Sequence, residues 1–336
     1  MGWLWSKRAA GFGSFIGYNS SWQSLSVQRR VSLVKYGVTF PQTEIGTDPV
    51  AIRDFAQAAD GAGFDYLVTY DHVLGAHPDR FAGKDVGFPS PPYLYRNQFH
   101  EPFTLFAFLA GVTKRIELTT GIVILPQRQT ALVAKQAAEV DLLSGQRLRL
   151  GVGIGWNFTE YEALNEDFHT RGARQEEQIT VLRRLWTEEL VTFEGRWHKL
   201  DSVGINPRPA RQIPIWIGGG FKEPLWQRVA RFADGWMPLL MPGQDARAII
   251  ERLRYHLSQE GRDIASFGLQ ANVRAEPGRE TDWVNEAKYL QSLGVTHLGM
   301  GAIVRDCAPM AALNRAIAAK DVIKSAIDNG ESVPLH

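Results

Sequence analysis

The feature that most constrains the fold is an alternation of short apolar segments with longer amphipathic ones, repeated eight times. The short segments are rich in Val, Ile, Leu and Thr and predict β-strands at 35–40, 65–70, 115–124, 147–153, 214–218, 234–238, 266–273 and 296–302. The longer segments predict helices at 48–62, 102–113, 129–144, 170–188, 222–232, 243–260, 281–293 and 308–326. Because eight strand–helix units close a parallel barrel, the sequence predicts an α/β fold, a (β/α)8 TIM barrel.

Two connections are longer than this alternation requires. Residues 73–101, which we call the mouth loop, follow the second strand and carry the aromatic residues Phe81, Phe88, Tyr93, Tyr95 and Phe99. Residues 190–212 separate the fourth helix from the fifth strand and contain Trp197, Pro207 and Pro209. Because a loop that follows a barrel strand lies at the catalytic face, we predict that the mouth loop is a lid that selects the substrate.

Charge and cysteine content exclude several classes of protein. The 37 basic and 36 acidic residues give a formal net charge of +1, which does not indicate a nucleic-acid partner. No segment approaches the roughly 18 apolar residues of a membrane span, so we expect no membrane association. Cys307 is the one cysteine of the sequence, so an internal disulfide is excluded and a reducing, cytoplasmic location fits. We expect Cys307 to be a small buried side chain rather than a nucleophile.

Residues 1–33 differ from the rest of the chain. They are rich in Ser, Gly, Arg and Trp and show no sustained period. We predict a flexible N-terminal extension followed by one barrel domain over 34–336. Val34 could mark an alternative start, which leaves open whether the extension belongs to the natural product. The stretch lacks the long apolar region of a secretory signal.

Candidate functional residues lie where the predicted strands end. The second strand ends in Tyr70-Asp71-His72, and His72 can act as a proton shuttle, an electrostatic group or a metal ligand. The alternative is a structural histidine with satisfied hydrogen bonds. Asp71 either orients His72 or caps the next segment. The first strand ends at Phe40 without the histidine that metal-dependent barrel hydrolases place there, so we predict no metal site.

The end of the fourth strand carries alternating glycines at 151, 153 and 155, followed by Trp156 and Asn157. Glycine lets the backbone approach a flat ligand closely. Trp156 and Asn157 interrupt the full dinucleotide-binding pattern, so a Rossmann fold is not indicated. Trp156 either stacks on an aromatic ligand or packs the barrel rim.

Two further segments indicate a phosphate group. The fifth strand runs into Gly218, Gly219 and Gly220 and then a helix, and such backbone at a helix N-terminus can cradle phosphate; a tight turn is the alternative. Arg128, after the third strand, could bind phosphate bidentately or be a surface charge. Aromatic walls, one histidine and a phosphate cradle together suit a flat, phosphorylated redox cofactor, which the residues alone do not name.

The ordered set of motifs resembles the luciferase-like monooxygenase family over residues 35–325. The segments that carry the resemblance are 63–65 with Asp71 and His72, 118–126, 134–136 with 141–145, 151–157 with Glu160, Arg171, Arg174 and Glu177, 185–186, 193–196, 218–219 and 233–236. One such match is weak, but their common order is specific.

The resemblance implies a barrel that binds coenzyme F420 or reduced FMN, with His72 as a catalytic residue and phosphate at the three glycines. It also implies a non-prolyl cis peptide in a bulge of the third strand, which falls on Thr120, Gly121 and Ile122. We predict that the residues in contact with the cofactor are Phe40, Thr119, Thr120, Gly121, Ile122, Arg128, Gly155, Trp156, Asn157, Gly218, Gly219, Gly220 and Asp234.

One departure from the family pattern bears on the reaction. The F420-dependent sugar-phosphate dehydrogenases of the family use a glutamate after the fourth strand as a proton donor, where this chain has Trp156, with Glu160 further on. We therefore expect an F420-dependent oxidoreductase that transfers hydride to or from another small organic substrate. The alternative is an FMN-dependent, alkanesulfonate-type monooxygenase, which needs a partner flavin reductase. For the F420-dependent enzyme, the corresponding partner is an F420 reductase. The resemblance also implies a homodimer.

Overall fold

The computed structural model describes residues 34–240, 244–273, 278–301 and 308–329. The predictions for residues 1–33 and for Cys307 lie outside these ranges. The strands are β1 Lys35–Thr39, β2 Tyr66–Tyr70, β3 Glu117–Ile124, β4 Leu148–Gly153, β5 Val191–Glu194, β6 Lys199–Val203, β7 Ile215–Gly219, β8 Gly235–Pro238, β9 Gly268–Val273 and β10 His297–Met300. The α-helices are α1 Pro49–Gly61, α2 Pro102–Val112, α3 Thr130–Leu143, α4 Phe158–Ala163, α5 Arg171–Thr187, α6 Glu223–Phe232, α7 Ala246–Gln259, α8 Glu280–Ser292 and α9 Pro309–Asp328.

Eight of these strands form a closed parallel barrel. The order around the barrel is β1-β2-β3-β4-β7-β8-β9-β10, and β10 pairs with β1 to complete it. The predicted (β/α)8 barrel is thereby confirmed, because each of the eight predicted strands corresponds to one barrel strand. Within the described residues, no helix has the length and apolarity needed to cross a membrane.

Local chemistry explains why the helices begin where they do. Asp48 precedes α1, and its side chain accepts a hydrogen bond from the Val50 backbone N–H at 2.9 Å while Pro49 occupies the first turn. Asn157 begins α4 in the same way and accepts from the Thr159 N–H at 3.1 Å. A polar cap therefore fixes the direction in which each of these helices leaves its strand.

The two long connections fold differently. The mouth loop contains a single 3₁₀ turn, Pro78–Phe81, and otherwise irregular backbone. The connection at 190–212 contains the antiparallel hairpin of β5 and β6, which the sequence analysis did not predict. β5 has four residues and β6 has five, and most of these residues are exposed. Such short, exposed strands do not show a clear alternation of apolar and polar residues.

The amino-terminal end of the barrel, which we call the floor, is closed by a buried cation between aromatic rings. The Arg149 guanidinium carbon lies 4.7 Å from the Tyr66 ring centre and 4.1 Å from that of Trp216. Its Nε donates to Glu117 Oε1 at 2.6 Å. His297 packs its ring 4.7 Å from that of Trp216. Burial, then the Arg149 charge, lower the pKa of His297 from 6.5 to about 2, so this histidine is neutral.

Glycine makes room for these rings. A Cβ at Gly37 would lie 2.0 Å from the Tyr66 ring, and one at Gly268 would lie 2.0 Å from the Trp216 ring. Since both distances are far below contact distance, these strand positions accept no larger residue without moving the aromatic groups.

Candidate functional site

The carboxyl-terminal end of the barrel, which we call the mouth, holds His72 two residues after β2. Aromatic rings surround its imidazole, with centres 3.8 Å away for Tyr93, 4.9 Å for Phe99 and 6.5 Å for Trp156. The His72 side chain is 14% exposed. Tyr93 and Phe99 belong to the mouth loop, so this loop folds against the predicted catalytic residue.

Trp156, just beyond β4, joins the mouth loop to the barrel. Its ring lies 5.3 Å from Tyr93, 5.6 Å from Phe81 and 5.8 Å from Phe88, measured between ring centres. Three residues of the loop therefore pack on one indole, in geometries typical of stabilising aromatic pairs. His72 and Trp156, predicted separately from two strand ends, are brought together at one apolar wall.

Glu160 in α4 is a site residue whose role the sequence analysis missed. Its side chain is fully buried, and its Oε1 lies 3.6 Å from His72 Nδ1. The Leu74 backbone N–H and the Gln127 side-chain amide each donate to this carboxylate at 3.2 Å. The spacing from the cap Asn157 to Glu160 could have revealed it, because an acidic side chain three residues after a cap turns back toward the helix start.

Tyr93 completes the polar lining beside Glu160. Its hydroxyl accepts a hydrogen bond from Asn157 Nδ2 at 2.7 Å. Burial, then the Glu160 charge, raise the pKa of Tyr93 well above its ordinary value. Tyr93 therefore stays a neutral phenol that can donate its proton in a hydrogen bond. Asn157, predicted to contact the cofactor, is buried, caps α4 and orients Tyr93.

Arg128 is held by carboxylates rather than left free for a phosphate. Its Nη2 lies 2.7 Å from Asp71 Oδ1, and its Nη1 lies 3.0 Å from Glu101 Oε1. Burial lowers the pKa of Arg128, but the charges of Asp71 and Glu101 outweigh burial and raise it. A phosphate contact of Arg128 stays a prediction, and such a contact would have to compete with these two carboxylates. Asp71 also accepts from the Ile124 N–H at 2.9 Å, so it braces β3 and Arg128 rather than orienting His72 or capping a helix.

The predicted bulge of the third strand is present, but its cis peptide is not. The pairing of β3 with β4 shifts register between Thr119 and Val123. Across the described ranges, the one cis bond is Asn206–Pro207, so the peptides of Thr120, Gly121 and Ile122 are trans. The Thr120 hydroxyl donates to the Gly151 carbonyl at 2.7 Å, and this bond holds the irregular segment without a cis peptide. Thr119 is fully buried beside it.

Bare backbone lines the barrel interior next to this bulge. A Cβ at Gly151 would lie 2.0 Å from the Thr120 carbonyl oxygen, and one at Gly218 would lie 2.4 Å from the Ile122 side chain. Gly155 has a φ of +63° and a Cβ there would lie 2.8 Å from Ile124. These positions require glycine because neighbouring backbone and side-chain atoms occupy the space that a Cβ would need.

The three consecutive glycines lead from β7 toward α6. Gly219 has a φ of +153°, and a Cβ there would meet Leu225 at 2.8 Å, whereas a Cβ at Gly220 meets nothing within 4 Å. Glu223 in the first turn of α6 lies 2.8 Å from Arg252 Nη2 and 3.1 Å from His256 Nε2. Arg252 and His256 offset the negative charge of Glu223. The start of α6 can therefore still bind an anion.

Two predicted cofactor contacts lie elsewhere. Asp234 precedes β8 and is therefore at the floor, where its carboxylate accepts from the Ile215 N–H at 2.8 Å and pairs with Arg183 at 2.9 Å. Phe40 is buried with its ring 5.5 Å from that of Phe55 in α1, so it faces the helical layer. Asp234 therefore lies at the floor and the Phe40 ring packs toward α1, while their contacts with the cofactor stay predictions.

The histidines that a metal-dependent hydrolase would need do not gather at His72. His77 is exposed and stacks on Tyr95 with ring centres 5.9 Å apart, and His100 Nε2 lies 3.0 Å from the Gly46 carbonyl. Among the residues that the structure describes, no group of three His, Cys, Asp or Glu side chains could hold a metal.

Comparisons with known proteins agree with this architecture. Residues 32–322 match the luciferase-like monooxygenase family. An uncharacterized protein of Mycobacterium tuberculosis is 32% identical over 267 residues, which are 78% of this chain and 88% of the relative. An F420-dependent glucose-6-phosphate dehydrogenase of Intrasporangium calvum is 32% identical over 205 residues, 56% of this chain and 53% of its own length. The solved structure of an F420-dependent secondary alcohol dehydrogenase with an F420–acetone adduct superposes with a TM-score of 0.67 at 16% identity, covering 89% of this chain and 100% of that one.

Proposed function

Because the chain belongs to the luciferase-like monooxygenase family and is an oxidoreductase, we propose that it is a coenzyme F420-dependent enzyme. It would transfer hydride to or from a small organic substrate. The observation that carries the proposal is His72 at the barrel mouth, enclosed by aromatic rings and backed by a buried carboxylate. A histidine in this setting suits proton transfer coupled to hydride transfer.

The bare backbone supports a planar ring as the cofactor. Gly151 and Gly218 lie so close to the bulge of β3 that the Thr120 carbonyl and the Ile122 side chain occupy the place that a Cβ would take. Ile122, whose side chain is within 3 Å of the positions that a Cβ would take at Gly153 and Gly218, would support one face of the ring. We place the ring against these residues, with Trp156 on the apolar wall of the same mouth.

The phosphate of the cofactor would lie at Gly218, Gly219 and Gly220. Backbone N–H groups next to a helix start stabilise an anion without any charged side chain. Since Arg128 is already held by Asp71 and Glu101, the backbone is the better candidate for this contact. A bound deazaflavin supplies the hydride acceptor or donor at its C5 atom.

The chain's own residues would handle the proton and the water. His72 would exchange a proton with the substrate, and the rings of Tyr93, Phe99 and Trp156 would keep water from it. The apolar character of this wall favours a small substrate with an apolar body. The mouth loop contributes most of the wall and would therefore set the choice of substrate.

The competing function is an FMN-dependent monooxygenase, which would use the same mouth. Equilibrium binding of the purified protein to coenzyme F420, to FMN and to reduced FMN, followed by fluorescence, separates the two. We expect F420 to bind at least about 10-fold more tightly, a difference of about 1.4 kcal/mol. Preference for reduced FMN would instead assign the monooxygenase and call for a flavin reductase as partner. Binding of none of them would overturn both functions.

The assembly state is a separate proposal. Relying on the family resemblance, we expect a homodimer in solution. Light scattering during size-exclusion chromatography would show it as a particle of twice the 37.6 kDa chain mass.

A further inference from the structure

The buried carboxylate of Glu160 has an unusual set of neighbours. It accepts from the Leu74 N–H and the Gln127 amide, each at 3.2 Å, and it lies beside the neutral Tyr93 hydroxyl. In the described part of the chain, no lysine or arginine lies within ion-pair distance of Glu160. The one basic side chain within that distance is His72, at 3.6 Å. A fully buried carboxylate is costly to desolvate unless a charge or several donors face it.

The His72 ring shows the matching deficiency. Its Nδ1 is buried and makes no hydrogen bond to any residue that the structure describes. A buried ring nitrogen without a partner costs free energy, and Glu160 Oε1 is the acceptor that faces it. The separation of 3.6 Å is slightly too long for a hydrogen bond, and contacts of this kind commonly tighten when a ligand binds.

We propose that Glu160 is the positioning residue for His72. It holds the Nδ1 proton and so leaves Nε2 as the nitrogen that meets the substrate, because the partner of one ring nitrogen decides which nitrogen carries the proton. The role of His72 rests on the proposed function, but the contact between the two side chains does not. Glu160 would act through His72 and would not touch the substrate.

Nitrogen NMR of the full chain with ¹⁵N-labelled histidine tests the contact directly. The signals of His72 are those that disappear in His72→Gln. In the wild-type protein we expect a proton on Nδ1, and in Glu160→Leu, which has no acceptor, we expect that Nδ1–H signal to be lost or exchanged for Nε2–H. A bare Nδ1 in the wild type, or an unchanged spectrum in Glu160→Leu, would overturn the proposal. If Glu160→Leu does not fold, the wild-type spectrum still decides.

Variants of Glu160 separate positioning from general damage. Glu160→Gln should lower turnover on the order of 10²-fold with F420 affinity changed less than about 3-fold, and Glu160→Asp should recover part of the loss. The matched control is Glu139→Gln in α3, whose partly exposed carboxylate pairs with Lys135 away from the mouth. An equal loss in Glu139→Gln, or no recovery in Glu160→Asp, would indicate a structural role instead.

The design keeps the two proposals apart. If the wild-type protein binds neither F420 nor FMN, the proposed function fails, while the NMR experiment on the ligand-free chain still accepts or rejects the contact. If the cofactor binds and Nδ1 is bare, the function stands and the positioning role of Glu160 is rejected.

Discussion

The mouth and the floor of the barrel both contain a histidine, a buried charge and several aromatic rings, yet they are built differently. At the floor, Arg149 lies between two rings and donates to Glu117 at 2.6 Å, and His297 is neutral. At the mouth, Glu160 faces His72 across 3.6 Å without a completed hydrogen bond. The charged group of the floor has a closed ion pair, although Arg149 Nη2 and the Tyr66 hydroxyl lack hydrogen-bond partners among the described residues, whereas the carboxylate–histidine pair of the mouth stays open. This difference separates a region built for stability from one that a reaction can use.

The largest effect should come from His72→Ala at the mouth. We expect turnover to fall by about 10²–10⁴-fold, the usual contribution of a positioned acid or base, with cofactor affinity within a few-fold of the wild type. Steady-state kinetics and F420 binding would be measured together. The matched control is His169→Ala, an exposed histidine outside the site. Equal losses in binding and rate would make His72 a binding residue only.

At the floor, Arg149→Met should reduce stability and leave cofactor binding intact. Removing one partner of a buried ion pair costs about 3 kcal/mol of unfolding free energy, because the other partner and the two rings lose their contacts. Urea unfolding would give this value. The control, Arg53→Met, breaks an exposed pair with Asp54 and should cost less than about 1 kcal/mol. A loss of F420 affinity in Arg149→Met would mean that the two ends are not independent.

Gly219→Asp tests the phosphate contact at the mouth. A carboxylate at this helix start should weaken F420 binding at least about 10-fold, or about 1.4 kcal/mol, by repulsion and by strain at a φ of +153°. Gly261→Asp is the matched control, since it has a φ of +65° with open space around it. A deazaflavin without phosphate serves as the second ligand. Equal weakening of both ligands would point to strain rather than to charge.

The smallest expected effect concerns His297. Its pKa is lowered from 6.5 to about 2 by burial and by the Arg149 charge, so below about pH 6.5 the unfolded chain binds a proton that the folded chain does not. The free energy of unfolding is therefore not reduced by His297 above pH 6.5, and it decreases as the pH falls below that value. Between about pH 7 and pH 5.5, wild type should lose about 1 kcal/mol more than His297→Gln in urea unfolding. Identical losses would show that folding does not lower the pKa of His297.

The barrel was predictable because each strand and helix repeats its own apolar period over enough residues. The hairpin β5–β6 was not, because its strands are short and exposed. His72 and Trp156 were predicted from strand ends and lie 6.5 Å apart at the mouth. Asp234 lies at the floor because it stands at the start of its strand rather than at its end.

Other site features depend on contacts between distant parts of the chain. Arg128 meets Asp71 and Glu101, which lie 57 and 27 residues away, and Glu160 meets the Leu74 N–H, 86 residues away. No local pattern reports which of several possible partners a charged side chain will take. The role of Glu160 is hidden for that reason, although its position after a helix cap is visible.

The attachment of the mouth loop to α4 has a consequence for selectivity. Leu74 donates to Glu160, Tyr93 accepts from Asn157, and Arg80 pairs with Glu162, so one short helix holds three points of the loop. Any molecule that lifts the loop would also remove a donor from Glu160 and a ring from His72. A compound too bulky for the closed loop would then lie beside a misaligned histidine. The enzyme would therefore select against such a compound by a lower reaction rate as well as by weaker binding.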